Sequence, residues 1–288
     1  MKAVYKHELS SYFTSLTGYI FGAFLLLFAG IYCMVYNLKS GLPYFEYVLG
    51  GMSFVFLVIV PILTMRVLAE ERRQKTDQLL YSLPISMTEV VLGKFFALMT
   101  LFLIPLAIIC IYPLVLCLFG SVYLPAAYGA VVAFLFLGAS LIAIGTFISS
   151  VTESQPVAAG ICFVVMLLNY FLYSLASYTS TSAFASFAAF AILVSVLAFI
   201  IWRMTKNGFI AALTGIILEL GLMVWYLLSP SAFGGLFPKA MEKLSLFERF
   251  NVFIGGVFDI SGIVYFASVT AVFLFLSIQS MEKRRWSE

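Results

Sequence analysis

Glu219 sits inside the apolar run Ile216-Ile217-Leu218-Glu219-Leu220-Gly221. An acid at that depth costs about 2.5–3.5 kcal/mol to insert, so it faces protein or a water-filled cavity. It can serve a transport pathway, or be held protonated by a hydrogen bond between helices. Asn169, in another apolar run, is a second pathway candidate whose amide can also act as glue between helices. Other chemistry is scarce. His7 is the only histidine, which excludes bis-histidine haem ligation and histidine-rich zinc sites. It also precedes the first apolar run, where no intramembrane serine–histidine hydrolase could use it. Cys33, Cys110, Cys117 and Cys162 each lie within apolar runs, without zinc-site or disulfide spacing, and read as small hydrophobes. Gly93-Lys94 lacks the preceding residues of a phosphate loop, so that route to ATP hydrolysis is closed. No catalytic residue, metal site or cofactor is expected in this chain.

The elements that must position these residues follow from composition. The 288 residues are 63% hydrophobic and 10% charged, with a mean hydropathy of +1.10. Soluble domains carry about a quarter charged residues. Thirty Phe and sixteen Tyr suit lipid contact and interfacial belts. The net charge of +3 is no footprint for nucleic acid. Apolar segments of spanning length occur near 16–36, 48–68, 95–119, 126–149, 157–177, 183–202, 209–228 and 261–279. Continuous runs of this kind must satisfy their backbone internally, as helices. The expected fold is an all-α polytopic membrane protein of about eight spans in a single permease domain, 1–288. The first span is too long for a signal peptide and lacks a small-residue cleavage site.

The basic residues set the orientation. With the amino terminus inside, Lys2, Lys6, Arg66, Arg72, Arg73, Lys75, Lys94, Arg203, Lys206, Lys283, Arg284 and Arg285 fall on the cytoplasmic side. Only Lys39, Lys239, Lys243 and Arg249 fall outside. Both termini are therefore expected in the cytoplasm. Residues 1–15 place Tyr5, Leu9, Tyr12 and Phe13 on one helical face, which suits an interfacial helix or an extension of the first span. Gly18 and Gly22 have the spacing of a close helix seam, such as a dimer contact. Pro61, Pro105 and Pro113 mark expected kinks.

The long charged segment 66–94 is the informative one. Thr76, Leu79, Leu80 and Leu83 recur at helical spacing, an apolar stripe that Pro84 ends. Ser86 and Glu89 have capping-box spacing, so a new helix opens there and runs through Gly93-Lys94 into the third span. The result is a rigid elbow on the cytoplasmic face.

Ala69-Glu70-Glu71-Arg72-Arg73-Gln74-Lys75-Thr76-Asp77-Gln78-Leu79-Leu80, with Leu83-Pro84-Ile85-Ser86, Glu89 and Gly93-Lys94, resembles the coupling-helix region of ABC-2-type export permeases. The branch it is most similar to is the gliding-motility type. Lys6 to Phe13 and Gly18-Tyr19-Ile20 resemble that branch's amino-terminal helix, although Leu16-Thr17 stands where Ser-Pro is common. Leu246-Phe247-Glu248-Arg249-Phe250, Gly256, Phe258-Asp259 and Glu282-Lys283-Arg284-Arg285-Trp286 resemble its carboxy-terminal end. The resemblance implies a transmembrane subunit of the cell membrane with a second permease subunit, identical or not, and two separate ABC ATPases that hold the ATP and Mg. A membrane-anchored accessory protein often accompanies this branch. It assigns coupling to Glu70, Glu71, Arg72, Lys75, Thr76, Leu79, Leu80, Leu83, Pro84, Glu89, Gly93 and Lys94. The superfamily's usual six spans are exceeded by a hairpin near 183–228, leaving 229–260 as an outer interfacial or re-entrant segment. Two alternatives remain: a non-transporting complex that drives an outer accessory protein mechanically, and a secondary transporter with Glu219 as its proton site. The second lacks visible inverted repeats.

Overall fold

The computed structural model describes residues 1–73, 86–205 and 208–285. Among these the chain is all helix, with no strand. Five helices are long and apolar enough to cross a membrane, and up to seven spans result if two bent helix pairs each count as one. Ala183–Phe199 is a shorter apolar helix. The described chain forms two compact units, 1–170 with 246–288, and 171–245.

In the larger unit α1 (Lys2–Thr14) ends at Ser15, whose extended backbone separates it from α2 (Leu16–Cys33). A π-helical turn, Met34–Lys39, continues α2. The next span is broken into α3 (Glu46–Ser53) and α4 (Phe56–Thr64), bent by 58°. Pro61 lies inside α4, whereas the bend falls earlier, at Phe54-Val55, after Gly50-Gly51. Close packing explains those glycines: a Cβ on Gly51 would stand 2.7 Å from the Tyr32 ring, and one on Gly50 2.8 Å from Ile254. A Gly pair within a helix is a recognised site of sharp bending, and tightened i→i+3 bonds such as Val55 N to Met52 O (2.9 Å) carry the chain through it. The proline kink expected at residue 61 is thus displaced.

A short α5 (Ala69–Arg73) follows, then α6 (Met87–Ile109) and α7 (Tyr112–Cys117). Helix α6 runs through Pro105, while Pro113 opens α7. At the break between them the Tyr128 hydroxyl donates to the Cys110 carbonyl (3.1 Å).

Helix α8 (Leu124–Val151) is the centre of this unit, packed by α4, α6, α13 (Leu246–Ile254) and α14 (Ile260–Arg285). Small residues let the neighbours approach. A Cβ on Gly138 would lie 2.5 Å from the Phe102 ring, and one on Gly145 would overlap Thr64. Around Gly138 the rings of Phe56, Phe102, Phe134 and Phe250 pack at centroid distances of 4.6 to 6.0 Å. Helix α9 (Gln155–Tyr178) leads out of this unit. The Asn169 side chain, on α9, accepts a hydrogen bond from Leu246 N (2.9 Å), which caps α13.

The smaller unit is a helical hairpin, α10 (Ala183–Thr205) and α11 (Gly208–Leu228), followed by a 3-10 turn at Pro230–Phe233 and α12 (Leu236–Leu244). Gly235 adopts φ 67°, a left-handed conformation that glycine tolerates, and its N–H donates to Thr181 O (2.9 Å). Ser186 Oγ accepts from Phe237 N (3.4 Å), fixing the start of α12 against the hairpin.

Candidate coupling site

The root of the 66–94 segment is built from six helices of the larger unit, α1, α2, α5, α6, α8 and α14. Helix α5 begins where the Ser149 hydroxyl, near the end of α8, accepts from Leu68 N and Ala69 N (both 3.1 Å). This supplies from another helix the oxygen that a helix start ordinarily takes from its own N-cap. Arg72, 8% exposed, reaches the same end of α8. Its guanidinium donates to Thr152 O (3.0 Å) and to Ser150 O, with Met281 Sδ at 4.0 Å. Ser280 Oγ also donates to Ser150 O (3.3 Å) and Arg284 to Val151 O (3.1 Å). The closing carbonyls of α8 thus receive two cationic side chains at the negative end of the helix dipole.

Lys94 ties the other side. Only 2% exposed, its ammonium lies 2.6 Å from Glu8 Oε1, 2.8 Å from Glu71 Oε1 and 2.9 Å from the Val67 carbonyl. These three acceptors match the three donors of an ammonium. They come from α1, α5 and the turn that precedes α5, so Lys94 on α6 joins the amino-terminal helix to the elbow's root. Gly93 permits the approach: a Cβ there would lie 3.2 Å from Val4 and 3.3 Å from the Met1 carbonyl. Tyr5 Oη and Thr100 Oγ1, 3.0 Å apart, extend the α1–α6 seam. Tyr12, buried beside this cluster, has its phenol pushed well above the usual range, by burial first and then by Glu8. Arg66 pairs with Glu70 (3.0 Å) and donates to Thr17 Oγ1 (2.8 Å), which fastens α2 as well. Ser86 Oγ accepts from Glu89 N (3.3 Å) and caps α6; the Glu89 carboxylate faces the Met1 amino group at 3.5 Å.

Of the expected coupling residues, Glu70, Glu71, Arg72, Glu89, Gly93 and Lys94 are placed together at this root. Lys75, Thr76, Leu79, Leu80, Leu83 and Pro84 lie outside the described residues. Sequence reasoning missed Glu8, Thr17, Arg66 and Ser149 as partners. One signal was available: Glu8 is the only acid before Glu46.

The remaining candidates lie elsewhere. Glu219, on α11, accepts from Ser195 Oγ of α10 (2.8 Å), and both residues are exposed on the smaller unit. Asn169 serves the α13 cap described above. Gly18 is enclosed within the chain, its Cβ position 2.6 Å from the Tyr12 carbonyl, whereas nothing lies within 4 Å of a Cβ on Gly22. Of that glycine pair, Gly22 alone is open to another helix. Among the described residues no group of three or more His, Cys, Asp or Glu could hold a metal ion.

Five helices of spanning length and apolar composition, and up to seven spans with the bent pairs, define a polytopic membrane protein. Residues 2–280 match the family model described as ABC-2 family transporter protein, and the chain belongs to that family. It is a permease component of an ABC transporter, a membrane part and not itself the catalytic one. The family implies ATPase partner subunits and dimeric assembly in general. A search among curated proteins found no match.

Proposed function

We propose that the chain is the membrane subunit of an ABC exporter of the gliding-motility type, working in the cytoplasmic membrane with both termini inside and about eight spans. The segment 66–94 is its docking and force-transmitting element. Leu79, Leu80 and Leu83 anchor a separate ATPase that binds ATP and Mg, and Lys75, Thr76 and the charges around them form the rim. A second permease, identical or related, completes the membrane part, with Gly22 available at a helix seam, and a membrane-anchored accessory protein joins on the outside. The segment 229–260 lies along the outer interface.

The Lys94 cluster is the observation that carries this reading. A push on the elbow at Glu71 reaches α1 through Glu8 and α6 through Lys94 itself. Arg72 passes the same push to the end of α8. Closure of the ATPases would thus shift helices as a group, giving alternating access or lateral gating. A cargo that passes between such apolar helices is amphipathic or lipid-like. Glu219 is a structural acid in this scheme, held by Ser195. Measurement of substrate efflux against ATPase activity tests the proposal: hydrolysis coupled to efflux supports export, and hydrolysis that only moves the accessory protein supports a mechanical complex.

A further inference from the structure

Glu46 opens α3 and is only 3% exposed. Its Oε2 is buried without a hydrogen-bond partner, and among the described residues no cation pairs with it. The charged and titratable groups on the helices packed against α3 are engaged elsewhere. Helix α2 carries Tyr19, Tyr32 and Cys33, and the π turn after it Tyr36 and Lys39. Helix α8 carries Tyr128, α13 carries Glu248 and Arg249, and α4 carries none. Tyr32 stacks on Tyr36, and Tyr36 meets Tyr47 of α3. Tyr128 donates to Cys110, Glu248 accepts from Asn251, and Arg249 lies 4.0 Å over the Tyr265 ring. A charge stranded at Glu46 is strongly unfavourable, so the buried acid takes a proton instead.

The break in this span lets that proton act on the backbone. Helix α3 bends by 58° from α4 at Phe54-Val55. Glu46 lies at the far end of α3, eight helical rises or about 12 Å from Phe54. A tilt about the bend therefore moves Glu46 further than it moves the close contacts at Gly50 and Gly51. Tyr44 and Tyr47, next to it in the chain, are 50% and 42% exposed, so a short movement brings water to the carboxyl. We propose that Glu46 is a proton-binding site that controls whether α3 is seated. Protonated, it stays buried beside Phe45, Val48 and Leu49; ionised, it turns out to water and lifts the start of α3. In water the carboxyl ionises near the ordinary glutamate value of about 4.3. Above that value the seated arm holds one proton more than the lifted arm. Seating is therefore favoured as pH falls, and lifting as pH rises, by up to about tenfold per pH unit. The inference goes beyond the permease reading and rests on it only for the side of the membrane that supplies the proton, the outer one.

The test uses the purified full chain in lipid nanodiscs without ATPase, so a failure of ATPase docking leaves its outcome untouched. Amide hydrogen exchange over residues 44–53 is followed at pH 5.5, 6.5 and 7.5 and corrected for the intrinsic pH dependence of exchange. Protection in the wild type should fall by about tenfold per pH unit. Glu46→Gln and Glu46→Met each remove the titration, and either should stay protected with no such slope. Infrared spectra of the wild type minus either variant should show a protonated-carboxyl band that fades as the slope appears. Protection in the wild type that is flat or rises with pH would overturn the proposal, whether or not the variants fold. A slope that survives in Glu46→Gln or Glu46→Met would overturn it as well, as would a difference spectrum without the carboxyl band.

Discussion

Replacing Lys94 by Met removes a cation that α1 and the elbow's root share. The three bonds at 2.6, 2.8 and 2.9 Å disappear together, and Glu8 and Glu71 face each other without it. Breaking a buried pair by deleting one partner costs about 3–5 kcal/mol, because the remaining charge stays desolvated. Glu8 and Glu71 keep 16% and 20% exposure, so water relieves part of this and about 3 kcal/mol is expected. At about 1.4 kcal/mol per tenfold, that shifts local opening of α1 from α6 by roughly a hundredfold. Amide hydrogen exchange on purified Lys94→Met reads the effect directly. Protection over residues 2–14 and 66–73 should fall about that much, while the α8 core around Gly138 keeps its protection. Adding Glu8→Gln and Glu71→Gln should recover much of the loss, since a neutral cluster carries no stranded charge. Unchanged protection in Lys94→Met, or a triple variant no better than the single one, would refute the reasoning.

Gly138→Ala forces a methyl against the Phe102 ring and should lower stability by about 1–3 kcal/mol in thermal unfolding, while Gly22→Ala, with open space around it, should not. Glu219→Gln should retain assembly and transport, because the amide oxygen still accepts from Ser195; loss of efflux with normal ATPase binding would assign Glu219 to the pathway. Asp259 accepts from the Ser261 hydroxyl, Ser261 N and Gly262 N, and the Ser261 hydroxyl leads in holding its carboxyl below the usual range. Its cap on α14 is therefore fully present above the ordinary aspartate pKa of about 3.9 and lost as pH falls through the lower folded value. Exchange protection at the start of α14 should drop over that acid range in the wild type and show no such step in Asp259→Ala.

The spanning helices were legible because long apolar runs in lipid have no other way to satisfy their backbone. The opening of α6 at Ser86 was legible for a local reason, a side chain and an N–H three residues apart. What periodicity could not supply was pairing between segments far apart in sequence. Glu71 and Lys94 stood out as charges beside an apolar run, but nothing local in the chain matched them with Glu8. Ser149 looked like one more small residue in a packed helix, and its hydroxyl acquires a role only because Leu68 and Ala69 arrive beside it. The bend of the second span was misplaced for a related reason. Pro61 is a breaker read from one residue, whereas the bend at Phe54-Val55 follows Gly50-Gly51, which are small because Tyr32 and Ile254 press on them.

The central claim, that 66–94 is where a separate ATPase docks, is tested most directly by co-purification. Leu79→Asp with Leu80→Asp places two charges in the apolar stripe, where interfaces concentrate their binding energy. The account predicts that this variant inserts in the membrane at normal levels and no longer retains its ATPase. Lys75→Ala, at the rim, should weaken retention less and make it less sensitive to salt. Recruitment of the ATPase by the double Asp variant at normal affinity would contradict the account.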